Sequence, residues 1–222
     1  MPGRFEMRHG LDSGPLLDLR REVEASAAFA TAVAALGGEA EIVGCSCVVA
    51  DEDCAAQSWH VDGGHVDASK HAPCHCINIF VPLVDVRRGG GDPRRAASTP
   101  GNPPTPREGA DAVVVSKRKS SRRGAPAGTE FKPGSHFLTR DLARQMLLAR
   151  VRKTLRPPVV PTLSPGDAVL FDYRVLHRGT KNTSGGPRPV FVLTVAKPWF
   201  RDLVNFPRRA LFDGGAFDAN AG

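Results

Sequence analysis

Between residues 41 and 195 the apolar side chains fall in short runs of four to nine residues, separated by Gly, Pro, Asn and Asp turn signals. The runs at 41–49, 76–84, 168–171 and 189–195 are rich in β-branched, aromatic or small residues and read as strands. Weaker strand signals lie at 4–8, 112–115 and 159–163. Pro82 places the 76–84 strand near an edge or a bulge, because proline cannot donate to a ladder. Only two stretches carry a helical period. In 16–36, Leu16, Leu19, Val23, Ala27, Ala30, Val33 and Ala34 recur at three- and four-residue intervals, with Ser13 or Asp18 supporting the first turn and Gly37-Gly38 ending it. In the second, Thr139 is an N-cap and Leu142, Met146, Leu147 and Val151 form one face that ends before Pro157-Pro158. Many short strands with few helices confine the chain to an antiparallel sandwich or barrel.

A chain of 222 residues is long enough for one well-formed core, and a single domain spanning 1–222 is expected. Its net charge of +7 has a local origin. The segment 87–128 holds ten Lys and Arg against three Asp and Glu, so the remainder of the chain is neutral. With seven Gly and six Pro, that segment has too little apolar side chain to offset its ordering entropy and reads as a mobile basic loop interrupting the domain. Within it, Lys117-Arg118-Lys119-Ser120-Ser121-Arg122-Arg123 reads as a solvated basic run, with a nucleic-acid contact or nuclear address as the alternative. No apolar run reaches the roughly 18–20 residues of a membrane span, and the N-terminus lacks a signal-peptide core, so a soluble, cytoplasmic protein is expected.

Cys45, Cys47, Cys54, Cys74 and Cys76 are odd in number and do not space as a disulfide framework, so reduced thiols buried in strands are expected. Cys74-His75-Cys76 lacks the two-to-four-residue gap of a zinc pair and any second pair downstream.

The chemistry concentrates in Trp59-His60-Val61-Asp62-Gly63-Gly64-His65. In an extended segment, His60 and Asp62 leave the same face and reach one small ion together. Two histidines and a carboxylate on one side of a metal form the facial triad of non-haem Fe(II) oxygen chemistry. A lone His-x-Asp is weak, since an isolated His is as a rule hydrogen-bonded to its neighbours, and His65-Val66-Asp67 repeats the pattern. The second half of the chain adds weight. His177 follows an apolar strand, where its side chain can face a pocket. Eleven residues on, Arg188 can hold a dicarboxylate through two parallel charged hydrogen bonds, which a lysine could not copy.

From about Trp59 to Pro198 the chain resembles the phytanoyl-CoA dioxygenase-like branch of the Fe(II)- and 2-oxoglutarate-dependent oxygenases. The resemblance rests on the His-x-Asp, the Pro133-Gly134-Ser135-His136 tetrapeptide, Gly166-Asp167 before an apolar strand, the distal His177 and the His-to-Arg spacing. It implies a mainly β double-stranded β-helix, a jelly-roll or cupin-like barrel with flanking helices and iron at its open mouth. It further implies His60, Asp62 and His177 as metal-binding catalytic residues, Arg188 as partner of the far carboxylate of 2-oxoglutarate, and Asn78 lining the cosubstrate pocket. His60 and Asp62 are preferred over His65 and Asp67 because the family's motif lies at this position relative to the glycine pair.

The activity implied is hydroxylation of a small organic substrate, consuming 2-oxoglutarate and O2 at Fe(II) and releasing succinate and CO2, with ascorbate as reductant. Asp62 argues against halogenation, which needs that ligand position vacant. The alternatives are a non-catalytic jelly-roll binding module, or an oxygenase acting on nucleic acid or protein docked through 87–128. Two departures from the family stand out: the long basic insertion, and Gly179, which offers no hydroxyl where some relatives supply one to the cosubstrate. His136 is expected either to line the mouth or to serve the turn, and Trp59 and Trp199 to pack in the core or at the rim.

Overall fold

The computed structural model describes residues 3–8, 14, 16–67, 69–86, 112–115, 128–138, 157–202 and 205. The strands are β1 (Arg4–Arg8), β2 (Glu41–Ala50), β3 (Cys76–Pro82), β4 (Ala112–Val115), β5 (Thr129–Phe131), β6 (Ala168–Asp172), β7 (His177–Gly179) and β8 (Arg188–Ala196). Helices α1 (Leu17–Glu24) and α2 (Ala27–Ala35) precede β2, and a 3-10 turn spans Ser135–Phe137. The larger sheet is antiparallel, in the order β1-β2-β8-β3-β6-β4. Facing it are the β5–β7 pair and single bridges joining His60 to His177 and Phe131 to Val159. These two layers form the jelly roll.

Strand alternation assigns each face of the large sheet its task. On β8 the residues Phe191, Leu193 and Val195 are fully buried and pack with Ile77, Ile79, Leu170, Ala28, Ala32 and Leu36 under the helices. Burial on this scale stabilises by about 1.5–3 kcal/mol per large apolar side chain. The intervening positions Arg188, Val190, Val192 and Thr194, with Asn78 and Phe80 of β3 and Ser46 and Val48 of β2, line a cavity on the opposite face. A second apolar cluster of Val86, Phe131, Leu163, Val169, Phe171 and Val175 closes the space between the layers.

Several sequence expectations are corrected. The helical period at 16–36 is broken at Ala25-Ser26, because the Ser26 hydroxyl caps a new helix by accepting from the Phe29 amide at 3.3 Å. The 159–163 run is no continuous strand but makes isolated bridges at Val159 and Leu163. Strand β3 lies inside the sheet, between β8 and β6, rather than at an edge. Its proline is tolerated as the last residue, beyond the β6 register that ends at Phe80. The 112–115 signal does form a strand, β4, at the sheet edge on β6. The helix expected from Thr139 and the rest of the basic loop at 87–127 lie outside the described residues. Cys45, Cys47 and Cys76 are buried in strands as free thiols, while Cys54 and Cys74 lie in loops. Among the described residues no helix is long and apolar enough to cross a membrane.

Candidate metal centre

The site is assembled by backbone pairing before any side chain contributes. His60 pairs with His177 of β7 within the smaller layer, each amide donating to the other's carbonyl at 3.0 and 2.9 Å. Their imidazoles are consequently adjacent, with ring centroids 4.5 Å apart. His60 Nδ1 lies 2.9 Å from the Ser58 carbonyl and His177 Nδ1 lies 3.0 Å from the Val175 carbonyl. A carbonyl only accepts, so each Nδ1 donates its proton there and leaves Nε2 turned toward the carboxylate. Asp62 stands opposite, its carboxylate 3.9 Å from His60 Nε2 and 3.5 Å from His177 Nε2. The three ligand atoms lie within 4.8 Å of one another, the sole such group of His, Cys, Asp or Glu among the described residues.

The electrostatics fit a cation. Burial pushes the Asp62 carboxyl above its usual range, against the pull of His177 and His60. Burial also lowers His177, favouring the neutral imidazole that binds metals. A divalent ion would supply the positive charge that this half-buried carboxylate lacks. One Asp62 oxygen is already held: Asn78 Nδ2 donates to Oδ2, while Thr194 Oγ1 donates to Asn78 Oδ1 at 2.7 Å. Asn78 therefore lines the cavity and also orients a candidate ligand.

The cavity, about 340 Å³, runs from these ligands to Arg188. Arg188 is 3% exposed, and its guanidinium donates to the Thr180 carbonyl at 2.9 Å and to Thr180 Oγ1 at 3.2 Å. Burial, with the Arg4 charge beside it, lowers Arg188 to about 10, so it remains cationic at neutral pH. Arg188 is placed by a rigid turn, because buried Asn182 Nδ2 reaches the carbonyls of Ala50, Asp51 and Gly186 at 2.9, 3.1 and 2.7 Å.

Gly179 finds its reason here. A Cβ there would lie 2.5 Å from Arg4 Nη1 and 2.7 Å from Gln57 Oε1, so a side chain is replaced by two polar groups arriving from elsewhere. Arg4 also donates to the Thr180 carbonyl, at 3.2 Å, which brings two guanidiniums to one end of the cavity.

The other sequence candidates go elsewhere. His65 Nδ1 is 3.3 Å from the Arg174 guanidinium, and Asp67 accepts from the Ser69 and Lys70 amides in a local turn. His136 is buried beside Phe137 and His71, away from the cavity. Its neighbour Ser135 accepts from the Leu176 amide at 2.7 Å through its Oγ, bracing the backbone just before His177. Trp59 lies under Lys132 and Arg178, and Trp199 is 61% exposed. Sequence reading missed Arg4, Gln57, Thr180, Tyr173 and Asn205. Of these, Arg4 had a signal, since Arg4, Glu6 and Arg8 alternate along β1 and all line the cavity.

The jelly roll thus brings two histidines and an aspartate together at one end of a cavity and a buried arginine to the other. A sequence model of the phytanoyl-CoA dioxygenase (PhyH) family matches residues 125–190, which include His177 and Arg188. The chain is similar to that family, as its motifs indicated.

Solved structures agree in fold. EvdMO1 shares 20% identity and a TM-score of 0.53 over 87% of this chain and 36% of its own. HygX from Streptomyces hygroscopicus, solved with nickel and 2-oxoglutarate bound, shares 12% identity and a TM-score of 0.54 over 90% of this chain and 72% of its own. The epimerase SnoN, in complex with Fe3+, alpha ketoglutarate and nogalamycin RO, shares 16% identity and a TM-score of 0.54 over 88% of this chain and 64% of its own. The chain thus spans between about a third and three quarters of these proteins' lengths.

Proposed function

We propose that this chain is an Fe(II)- and 2-oxoglutarate-dependent oxygenase that hydroxylates a small organic substrate, with release of succinate and CO2. The observation that carries the reading is the convergence of His60, Asp62 and His177 within 4.8 Å at one end of a cavity whose other end is Arg188. The metal and cosubstrate bound by HygX and SnoN support the same assignment. Bound iron would supply the oxygen activation that no side chain offers.

The protein's own part is geometry. Both imidazoles present Nε2 because their Nδ1 protons are committed to carbonyls, so no tautomer change is needed on metal binding. Asn78 fixes one Asp62 oxygen and thereby the plane of the carboxylate. Arg188, with Arg4 beside it, would take the far carboxylate of 2-oxoglutarate and set how deep the cosubstrate sits. Phe80, Val190 and Val192 line the intervening wall and keep it apolar. Glu6, Arg8 and Asn205 add polar groups to the same cavity. Asp62 fills the third ligand position, which favours hydroxylation over halogenation.

The test is succinate formation from 2-oxoglutarate under air with Fe(II) and ascorbate. Wild type should produce succinate, and His177→Ala should produce none. Turnover that survives His177→Ala overturns the assignment. Product mass then separates hydroxylation, which adds one oxygen, from epimerisation, which leaves mass unchanged.

A further inference from the structure

The three candidate ligands are not held equally. His60 and His177 are locked to each other by paired backbone hydrogen bonds, but Asp62 lies in the loop beyond that bridge, where no ladder fixes it. Its carbonyl is instead gripped from the far end of the chain: Asn205 Nδ2 donates to Asp62 O at 2.6 Å. The same amide lies 2.7 Å from Tyr173 Oη and 2.8 Å from Asp202 Oδ2, and the Asn205 backbone N–H donates to Asp202 Oδ1 at 2.9 Å. The Tyr173 hydroxyl donates to Asp202, and the Arg8 guanidinium donates to the Asn205 carbonyl. The ring of Tyr173 occupies the space beside Gly63, where a Cβ would lie 1.7 Å from Cε1.

Taking His60, Asp62 and His177 as the ligands, we propose that Asn205 and Tyr173 are positioning residues for Asp62. Tyr173 sets the floor of the Asp62-Gly63 turn, and Asn205 ties its carbonyl to Asp202 and to Arg8 of β1. Outer groups that orient a metal ligand are typically worth 10- to 100-fold in metal affinity. The carboxylate plane follows the backbone that carries it, so loosening this turn changes the angle at which the aspartate meets a metal.

The experiment is anaerobic titration of the full-length apoprotein with Co(II), following its visible bands as a spectroscopic probe of coordination. Asn205→Ala should bind Co(II) roughly 10- to 100-fold more weakly, and Tyr173→Phe less severely, each with bands shifted from wild type at saturation. Bands identical to wild type at saturation in the variants overturn the proposal. Tyr173→Phe keeps the ring over Gly63 and removes only the hydroxyl, so it decides the matter alone where Asn205→Ala does not fold. His177→Ala separates the two levels. If wild type and His177→Ala both fail to take up Co(II), the metal assignment itself falls; if only His177→Ala fails, the variants report on the Asn205 and Tyr173 contacts.

Discussion

Arg188 illustrates why residue type matters more than charge. Its guanidinium is planar, buried and already aligned by Thr180, so a lysine at this position would keep the charge but lose the paired donors. Arg188→Lys is expected to raise the KM for 2-oxoglutarate by about 10- to 100-fold, the cost of a lost charged hydrogen bond, with a smaller effect on kcat; steady-state kinetics check this. Asp172 is a structural counterpart. Burial would push its carboxyl up, but the Arg174 hydrogen bonds and charge outweigh that and hold it below the ordinary range. Its folded value is depressed, so its stabilisation is complete above about pH 4 and is lost as pH falls through the folded value. Because the Asp172 and Arg174 side chains are 9% and 2% exposed, Asp172→Asn leaves a buried cation without its carboxylate. The substitution should cost about 3–5 kcal/mol at neutral pH and flatten the acid limb of stability, read by urea unfolding from pH 7 to 3.

Among elements, β8 carries the most information per residue. One face supplies the helix-covered core and the other supplies Arg188, Val190, Val192 and Thr194 to the cavity, a division that strand period two enforces. Helix α2 seals the outer face and depends on Ser26, whose hydroxyl both accepts from the Phe29 amide and donates to the Val23 carbonyl at 2.6 Å. Ser26→Ala should destabilise the protein by about 1 kcal/mol in denaturant melts while leaving metal affinity unchanged, since α2 lies across the sheet from the cavity. The run at 16–36 read as one helix because its apolar period crosses the break without interruption. What the period does not register is that a serine in extended conformation ends one helix and caps the next.

For the whole molecule, the metal and cosubstrate would cross-link the layers: His60 and His177 on the smaller layer, Asp62 in its loop and Arg188 on the large sheet. Ligands that bind only the folded state stabilise it by mass action. Co(II) with 2-oxoglutarate should therefore raise Tm in wild type by several degrees, about 3 kcal/mol at a hundredfold excess over Kd, and leave Tm of His177→Ala unmoved; differential scanning fluorimetry with each addition checks it.

Local alternation sufficed for the strand expectations at 41–49, 168–171 and 189–195, which the structure extends by a residue or two to Glu41–Ala50, Ala168–Asp172 and Arg188–Ala196. His60, Asp62, His177 and Arg188 were nominated instead by resemblance to a family, because residues so far apart in sequence leave no short-range signature of meeting. The backbone pairing of His60 with His177, 117 positions later, was not local information. Nor was the Asn205 contact to Asp62, 143 positions away, or the Arg4 contact to Thr180, 176 positions away. Such contacts are made by sheet order and loop path, so they exist only once the layers close on each other.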